Sequence, residues 1–282
     1  MTAPLIDLND GSQIPAVGFG TYPLIGNEGY RAVRSALDAG YRLIDSAVNY
    51  ENEGTVGKAI RDFLKESGTD RSEITVQTKL AGRHHDTARA VLSGQESAAR
   101  FGLDQIDVML IHWPNPITNK YRDAWRGLVE LREQGVVRSI GVSNFTEQHL
   151  ADVISDSGVT PVLNQVELHP YFVQESLRAE HAGLGVLTQS WSPLGKGKPA
   201  YDEPAVAGAA AAHGVTPAQV ILRWHLELGA IPVPKSATPS RQAENLDIFG
   251  FELTPAEVDA ITALTRENGR LFGGDPTKHE EM

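Results

Sequence analysis

Four residues of this chain combine types and positions suited to proton chemistry: Asp45, Tyr50, Lys79 and His112. Asp45 follows the apolar pair Leu43–Ile44, Lys79 follows Val76–Thr78, His112 follows Met109–Ile111, and Tyr50 lies shortly beyond Asp45. A lysine and an aspartate carried into one partly buried place must pair to offset their desolvation. The lysine's charge would then favour phenolate over phenol in a neighbouring tyrosine, whose ordinary pKa of about 10 is otherwise too high for acid–base work near neutrality. Taken singly, each residue has a structural explanation: Asp45 as a helix cap, Tyr50 as loop packing, Lys79 as a solvated cation, His112 as a hydrogen-bonded core imidazole. Only their convergence would make them a site.

Convergence requires elements that aim all four at one place. Brief apolar runs, Ala16–Phe19, Arg42–Ser46, Ile74–Thr78, Val108–His112, Arg138–Val142, Val162–Val166, Val186–Ser190 and Ile231–Pro234, read as strands. Between them lie amphipathic helix-like segments, among them Glu28–Ala39, Thr55–Lys65, Arg122–Gln134, Glu175–Ala182, Pro217–Glu227 and Ser240–Ile248, and the alanine run Ala209–Ala212 also reads as helix. This alternation predicts an α/β fold, a (β/α)8 TIM barrel, in one domain spanning residues 1–282. An N-terminal β-hairpin is expected from Leu5–Leu8, the turn residues Asn9, Asp10 and Gly11, and Ile14. In such barrels the chemistry sits at the C-terminal strand ends, which is where the four residues fall.

Composition narrows the partners. A formal net charge of −11 disfavours nucleic acid and anionic lipid, both of which demand clustered cations. With no cysteine, disulfides, iron–sulfur clusters and thiolate zinc sites are excluded. Met1 to Asp10 has neither a basic nor an apolar leader segment, and no run is apolar enough to span a bilayer. A cytoplasmic protein that binds a small molecule without a membrane or nucleic-acid partner is therefore expected, with a monomer as the default state.

Six segments, in order, carry a resemblance that covers nearly the whole chain. They are Gly40–Glu53 with Gly57, Thr78-Lys79, Leu110–Pro114, Gly141–Phe145, Asn164–Pro170 and Ile231–Ser236. On them the chain resembles the aldo-keto reductase family, and in Ser190-Trp-Ser-Pro-Leu-Gly195 its bacterial diketogluconate-reductase-like members. The resemblance implies NADPH-dependent reduction of aldehydes and ketones. Tyr50 would donate the proton, Lys79 and Asp45 would tune it, and a neutral His112 would orient the carbonyl. Ser143, Asn144 and Gln165 would hold the nicotinamide carboxamide, Trp191 would stack on the ring, and Ser192, Leu194 and Gly195 would wrap the pyrophosphate, with Gly20 and Thr21 beside the cofactor. Lys235, Ser236 and Arg241, at the opening of a helix, would take the 2′-phosphate, and Glu244 and Asn245 would face the adenine. Tyr22 and Trp113 would rim the substrate site. The short segments Asn115–Lys120, Lys196–Glu203 and Leu271–Met282 imply an open mouth that favours small dicarbonyls and reactive aldehydes.

Other signals point elsewhere. Gly18-Phe-Gly20 lacks the third glycine and the helix of a dinucleotide fingerprint. His84, His85 and Asp86 read as solvated loop residues rather than metal ligands, and His169 and His225 as structural, so no metal site is expected. Two alternatives to the reductase remain open: a non-catalytic cofactor-binding regulatory barrel, and a Schiff-base lyase using Lys79.

Overall fold

The structure, a computed structural model, describes residues 3–197 and 199–281; Lys198 of the Lys196–Glu203 segment and Met282 of the tail lie outside the described residues, as do Met1 and Thr2. An antiparallel hairpin, β1 (Leu5–Asp7) and β2 (Gln13–Pro15), pairs Leu5 with Pro15, as expected. Leu8 and Ile14 pack against Leu43, Val108, Leu110, Val162, Leu163 and Ile231, so the hairpin stoppers the N-terminal end of the barrel. Asn9 fastens it there by donating to Pro161 O (2.9 Å) and Gly185 O (3.1 Å).

Eight parallel strands follow in chain order: β3 (Phe19–Gly20), β4 (Leu43–Asp45), β5 (Thr75–Leu80), β6 (Ile106–Ile111), β7 (Val137–Ser143), β8 (Leu163–Glu167), β9 (Leu187–Trp191) and β10 (Ala230–Pro232). The ring closes where Gly18 N and Gly20 N donate to Pro232 O and Pro234 O, both at 3.0 Å. Each strand lies at or within a few residues of its predicted run. The largest departure is the first, where Ala16–Gly18 bends away from the hairpin and leaves only Phe19–Gly20 in the sheet. β5 runs on to Leu80, so Lys79 stands inside the strand and not past its end.

The connecting helices are α1 (Gly26–Ala39), α2 (Glu53–Ser67), α3 (Thr87–Phe101), α4 (Tyr121–Glu133), α5 (Glu147–Ser157), α6 (Glu175–Leu184), α7 (Pro204–His213), α8 (Pro217–Glu227), α9 (Pro239–Leu246) and α10 (Pro255–Thr262). Prolines open α7 to α10, where the missing N–H would have had no helical partner. Thr216 and Thr254 add capping boxes with Gln219 and Glu257. α2 and α3 pack backbone to backbone: a Cβ on Gly57 would lie 2.1 Å from Phe101 O. No single described helix is long and apolar enough to cross a membrane.

Side chains alternate along each strand, so residues two apart share the barrel interior. Its lower part is filled by Leu43, Val108, Leu110, Leu163 and Ile231, as a packed barrel requires. One step toward the C-terminal ends the filling turns polar, with Asp45, Gln77, Lys79, Gln165 and Gln189 all buried.

Candidate active site

The four candidate residues meet at this polar end. Lys79, fully buried on β5, donates to both carboxylate oxygens of Asp45 at 2.7 Å and to Ser46 O at 2.9 Å. Its ammonium lies 3.5 Å from the Tyr50 hydroxyl, which a 3-10 turn (Val48–Tyr50) carries over the end of β4. His112, one residue beyond β6, meets the Tyr50 ring edge-on with centroids 5.7 Å apart. Its backbone is fixed on both sides: N–H to Leu80 O (3.1 Å), and C=O accepting from the Asn144 side chain (2.9 Å).

Electrostatics here run against the sequence expectation for Tyr50. Burial pushes its phenol well above the ordinary value, and the charges of Asp45, Glu281 and Tyr22 push the same way. The lysine does not win, because its charge is already committed to Asp45 at shorter range. Burial also lowers the Lys79 ammonium from its ordinary value, with Asp45 opposing that shift. Tyr50 is therefore held as a protonated phenol, a donor rather than a base.

A cavity of about 500 Å³ opens above these groups, lined by Gly20, Thr21, Tyr22, Trp113, Asn144, Gln165, Trp191, Ser192 and Leu194 among others. A second, of about 580 Å³, adjoins it through Leu194, Lys196 and Lys235 and reaches Ser236, Arg241, Glu244 and Asn245. Together they make one elongated groove. The Trp191 indole is locked by its N–H donating to Asn144 Oδ1 (2.8 Å). Two predicted cofactor residues do not line it. The Ser143 hydroxyl turns back to donate to Gln165 O (2.7 Å), and Gly195 closes a turn by donating to Ser192 O (2.8 Å). Lys235 and Arg241 make no ion pair among the described residues. Glu244 is tied to the Thr216 hydroxyl (2.7 Å).

The open mouth is not what the structure contains. The tail folds back over the cavity: His279 packs at a tilt against Trp113 with centroids 4.1 Å apart, and Asn115 clamps the backbone of residue 281, donating to Glu281 O (2.6 Å) and accepting from Glu281 N (2.9 Å). Gly82 leaves room for this approach, since a Cβ there would lie 2.1 Å from Glu281 O. The Glu281 carboxylate comes 2.6 Å from His112 Nδ1. Burial alone would raise the Glu281 carboxyl, but His112, Asn49 and the Gly82 N–H outweigh it and hold the group below its ordinary value. Shortness of the tail therefore does not mean openness, because the eleven described residues 271–281 suffice to cross the mouth when a glycine and an asparagine receive them. Sequence reasoning missed Glu281, Asn49, Lys196 and Phe272 as lining residues. Lys196 lies over both the Tyr22 and Phe272 rings, at 5.1 and 5.2 Å.

His85 also departs from expectation. It is buried, not solvated, with both ring nitrogens unpartnered among the described residues, and burial lowers its pKa to about 4. His84 is half-buried, with Nδ1 2.9 Å from the Ser93 hydroxyl. Among the described residues no cluster of three or more His, Asp or Glu could hold a metal ion.

An eight-stranded parallel barrel with a phenol, a buried lysine–aspartate pair and an imidazole at its C-terminal mouth, beside a dinucleotide-length groove, defines an oxidoreductase acting on carbonyl groups. The chain belongs to the aldo/keto reductase family, whose model matches residues 16–266. It is 54% identical over 279 residues to 2,5-diketo-D-gluconic acid reductase B of Corynebacterium sp. (strain SHS752001), covering 99% of each chain. To methylglyoxal reductase DkgA of Escherichia coli (strain K12) it is 42% identical over 273 residues, covering 96% of each. Among solved structures, a Bombyx mori aldo-keto reductase in complex with NADP superposes with a TM-score of 0.92 at 35% identity, covering 100% of this chain and 99% of that one.

Proposed function

We propose that this chain reduces small dicarbonyls and reactive aldehydes to alcohols, with Tyr50 as proton donor and NADPH as the hydride source. The observation that carries the reading is the protonated Tyr50 phenol 3.5 Å from a lysine ammonium and edge-on to His112, in the floor of the groove. The groove fits an extended dinucleotide: the flat Trp191 and the amide oxygen of Gln165 at one end, and unpaired Lys235 and Arg241 beside the opening turn of α9 at the other. NADPH held there supplies the hydride. His112 orients the substrate carbonyl, Tyr50 gives its proton to the carbonyl oxygen as charge develops, and Lys79 stabilises the phenolate left behind. Asp45 holds Lys79 in place.

A Schiff-base role for Lys79 is disfavoured because its three bonds to Asp45 and Ser46 leave no free amine aimed at a substrate. Tail closure narrows the mouth and favours small substrates, and both named bacterial relatives are reductases of dicarbonyl compounds. We take the whole chain as one domain, monomeric and cytoplasmic. The test is NADPH consumption with methylglyoxal, phenylglyoxal and a steroid ketone, for wild type and Tyr50→Phe. Efficient glyoxal reduction that Tyr50→Phe nearly abolishes, with NADPH affinity changed no more than a few-fold, is expected. Wild-type turnover in Tyr50→Phe refutes the proton-donor role, and a borohydride-trapped adduct on Lys79 would establish the lyase instead.

A further inference from the structure

The polar layer inside the barrel contains two glutamines that no step above uses. Gln77 on β5 and Gln189 on β9 are both fully buried, in the kind of interior position where barrels of this type carry branched apolar side chains. A buried amide is costly unless its donors and acceptor are met. Here they form a chain. Gln77 Nε2 donates to Asp45 Oδ1 (2.6 Å) and to Gln189 Oε1 (2.7 Å), and Gln189 Nε2 returns a bond to Gln77 Oε1 (3.3 Å). Gln165 Nε2 donates to the same Gln189 Oε1 (2.6 Å).

The direction of every amide follows from one end. A carboxylate only accepts, so Gln77 must turn its NH2 toward Asp45, and its oxygen then faces the NH2 of Gln189. Gln189 in turn presents its oxygen to Gln165, whose NH2 is thereby committed inward. The Gln165 oxygen, which no donor among the described residues reaches, is left for the groove that Gln165 lines. Flipping the chain would set an amide oxygen against the Asp45 carboxylate.

We propose that Gln77 and Gln189 are positioning residues that relay the negative charge of Asp45 into the orientation of the Gln165 amide. Asp45 thus fixes Lys79 on one side and, through two glutamines, an outward-facing acceptor on the other. That acceptor selects a donor, which is the N–H of the cofactor's carboxamide. This inference rests on the cofactor reading above.

The experiment compares Kd for NADP+ with Kd for its 3-acetylpyridine analogue, whose ring carbonyl carries no N–H, by quenching of tryptophan fluorescence. Wild type, Gln189→Met and Gln77→Met are measured, each first checked for a cooperative thermal transition. Wild type binds NADP+ about tenfold more tightly than the analogue, the scale of one well-placed hydrogen bond. Both variants lose that discrimination to within about twofold, although Gln77 makes no hydrogen bond to Gln165 among the described residues and does not line the groove. A merely structural role would weaken both cofactors alike and leave the ratio intact, which overturns the proposal. So does a ratio lost in Gln189→Met but kept in Gln77→Met. If wild type binds neither cofactor, the cofactor reading itself fails; if it binds both equally, only the relay does. Should the variants not fold, side-chain amide hydrogen exchange in wild type reads the same chain. Protected NH2 groups on Gln77 and Gln165 support it, and free exchange overturns it.

Discussion

Replacing Glu281 with glutamine should make the enzyme better at capturing neutral carbonyl compounds. The Glu281 carboxylate lies 2.6 Å from Nδ1 of His112, the imidazole proposed above to orient the substrate carbonyl, so on that reading substrate competes with the tail. Both side chains are only 13% exposed, so the contact is little screened and contributes on the order of 1–2 kcal/mol. Some of this persists in Glu281→Gln, which keeps the shape, the backbone clamp by Asn115 and a neutral contact to His112. A net loss of about 1 kcal/mol from the closed state corresponds to a fall in KM of roughly fivefold, with kcat little changed. Steady-state NADPH consumption on methylglyoxal measures both. Removing residues 279–282 also deletes the His279–Trp113 ring contact and the Asn115 clamp, so KM should fall further. An unchanged or raised KM in both variants would refute the reasoning, because the tail would then leave the carbonyl seat free or help to build it.

Arg241→Ala should weaken NADPH by roughly 10- to 100-fold and NADH by much less, since only NADPH carries the 2′-phosphate; equal losses in fluorescence titrations would put the phosphate elsewhere. Lys79→Met leaves the Asp45 carboxylate buried without its cation and should destabilise the fold by about 3–5 kcal/mol as well as crippling turnover. Adding Asp45→Asn should restore much of the denaturation midpoint without restoring turnover; recovery of both would argue against a catalytic role for the pair. Burial holds His85 and His181 at pKa values of about 4 and His225 at about 3, all below an unfolded value of about 6.5. The unfolded chain therefore binds more protons as pH falls, and their contribution, intact above about pH 6.5, is lost on the way down to the folded values. Between pH 6.5 and 5 each histidine forfeits up to roughly 2 kcal/mol, so the urea midpoint should drop over that range and drop less in His225→Gln; a flat profile would contradict the burial argument.

The barrel was legible because its order is written in short apolar runs, and α8 begins and ends where its pattern said, between a proline and a glutamate. α3 was not singled out because its buried face, apart from Phe101 at the C-terminal end, is made of Ala90, Ser93, Gly94, Ser97 and Ala98, small residues that give little hydrophobic contrast. The meeting of Asp45, Tyr50, Lys79 and His112 was legible through their places at or near strand ends. The tail contact was not, because its chief fittings are an absence of side chain at Gly82 and an amide at Asn115, neither of which signals a partner 199 or 166 residues away. His85 was misread for a related reason: adjacent histidines on a loop suggest solvent, and only the fold shows that one of them faces inward. The glutamine layer could have been found. Gln77 and Lys79 are two apart on one strand, as are Gln165 and Glu167, and Gln189 and Trp191, so period-two reading places all of them on one barrel face.

Tyr50 shows why the direction of a perturbation cannot be taken from a list of neighbours. Lysine beside tyrosine suggests a lowered phenol pKa, yet Lys79 is neutralised at 2.7 Å by Asp45, while burial and the Asp45 and Glu281 carboxylates keep the proton on Tyr50. A carbonyl reductase needs that proton present when substrate arrives and surrendered only as negative charge forms on the carbonyl oxygen. Glu281 bears on both requirements, because the same carboxylate that raises the phenol also faces His112. With the tail in place, the proton is held and Glu281 sits on the Nδ1 side of His112. On the proposed mechanism, a substrate that displaces the tail strips Tyr50 of one of the two carboxylates that hold its proton as its carbonyl reaches His112. Proton release and substrate binding are thereby coupled through a single side chain, and Glu281→Gln should uncouple them.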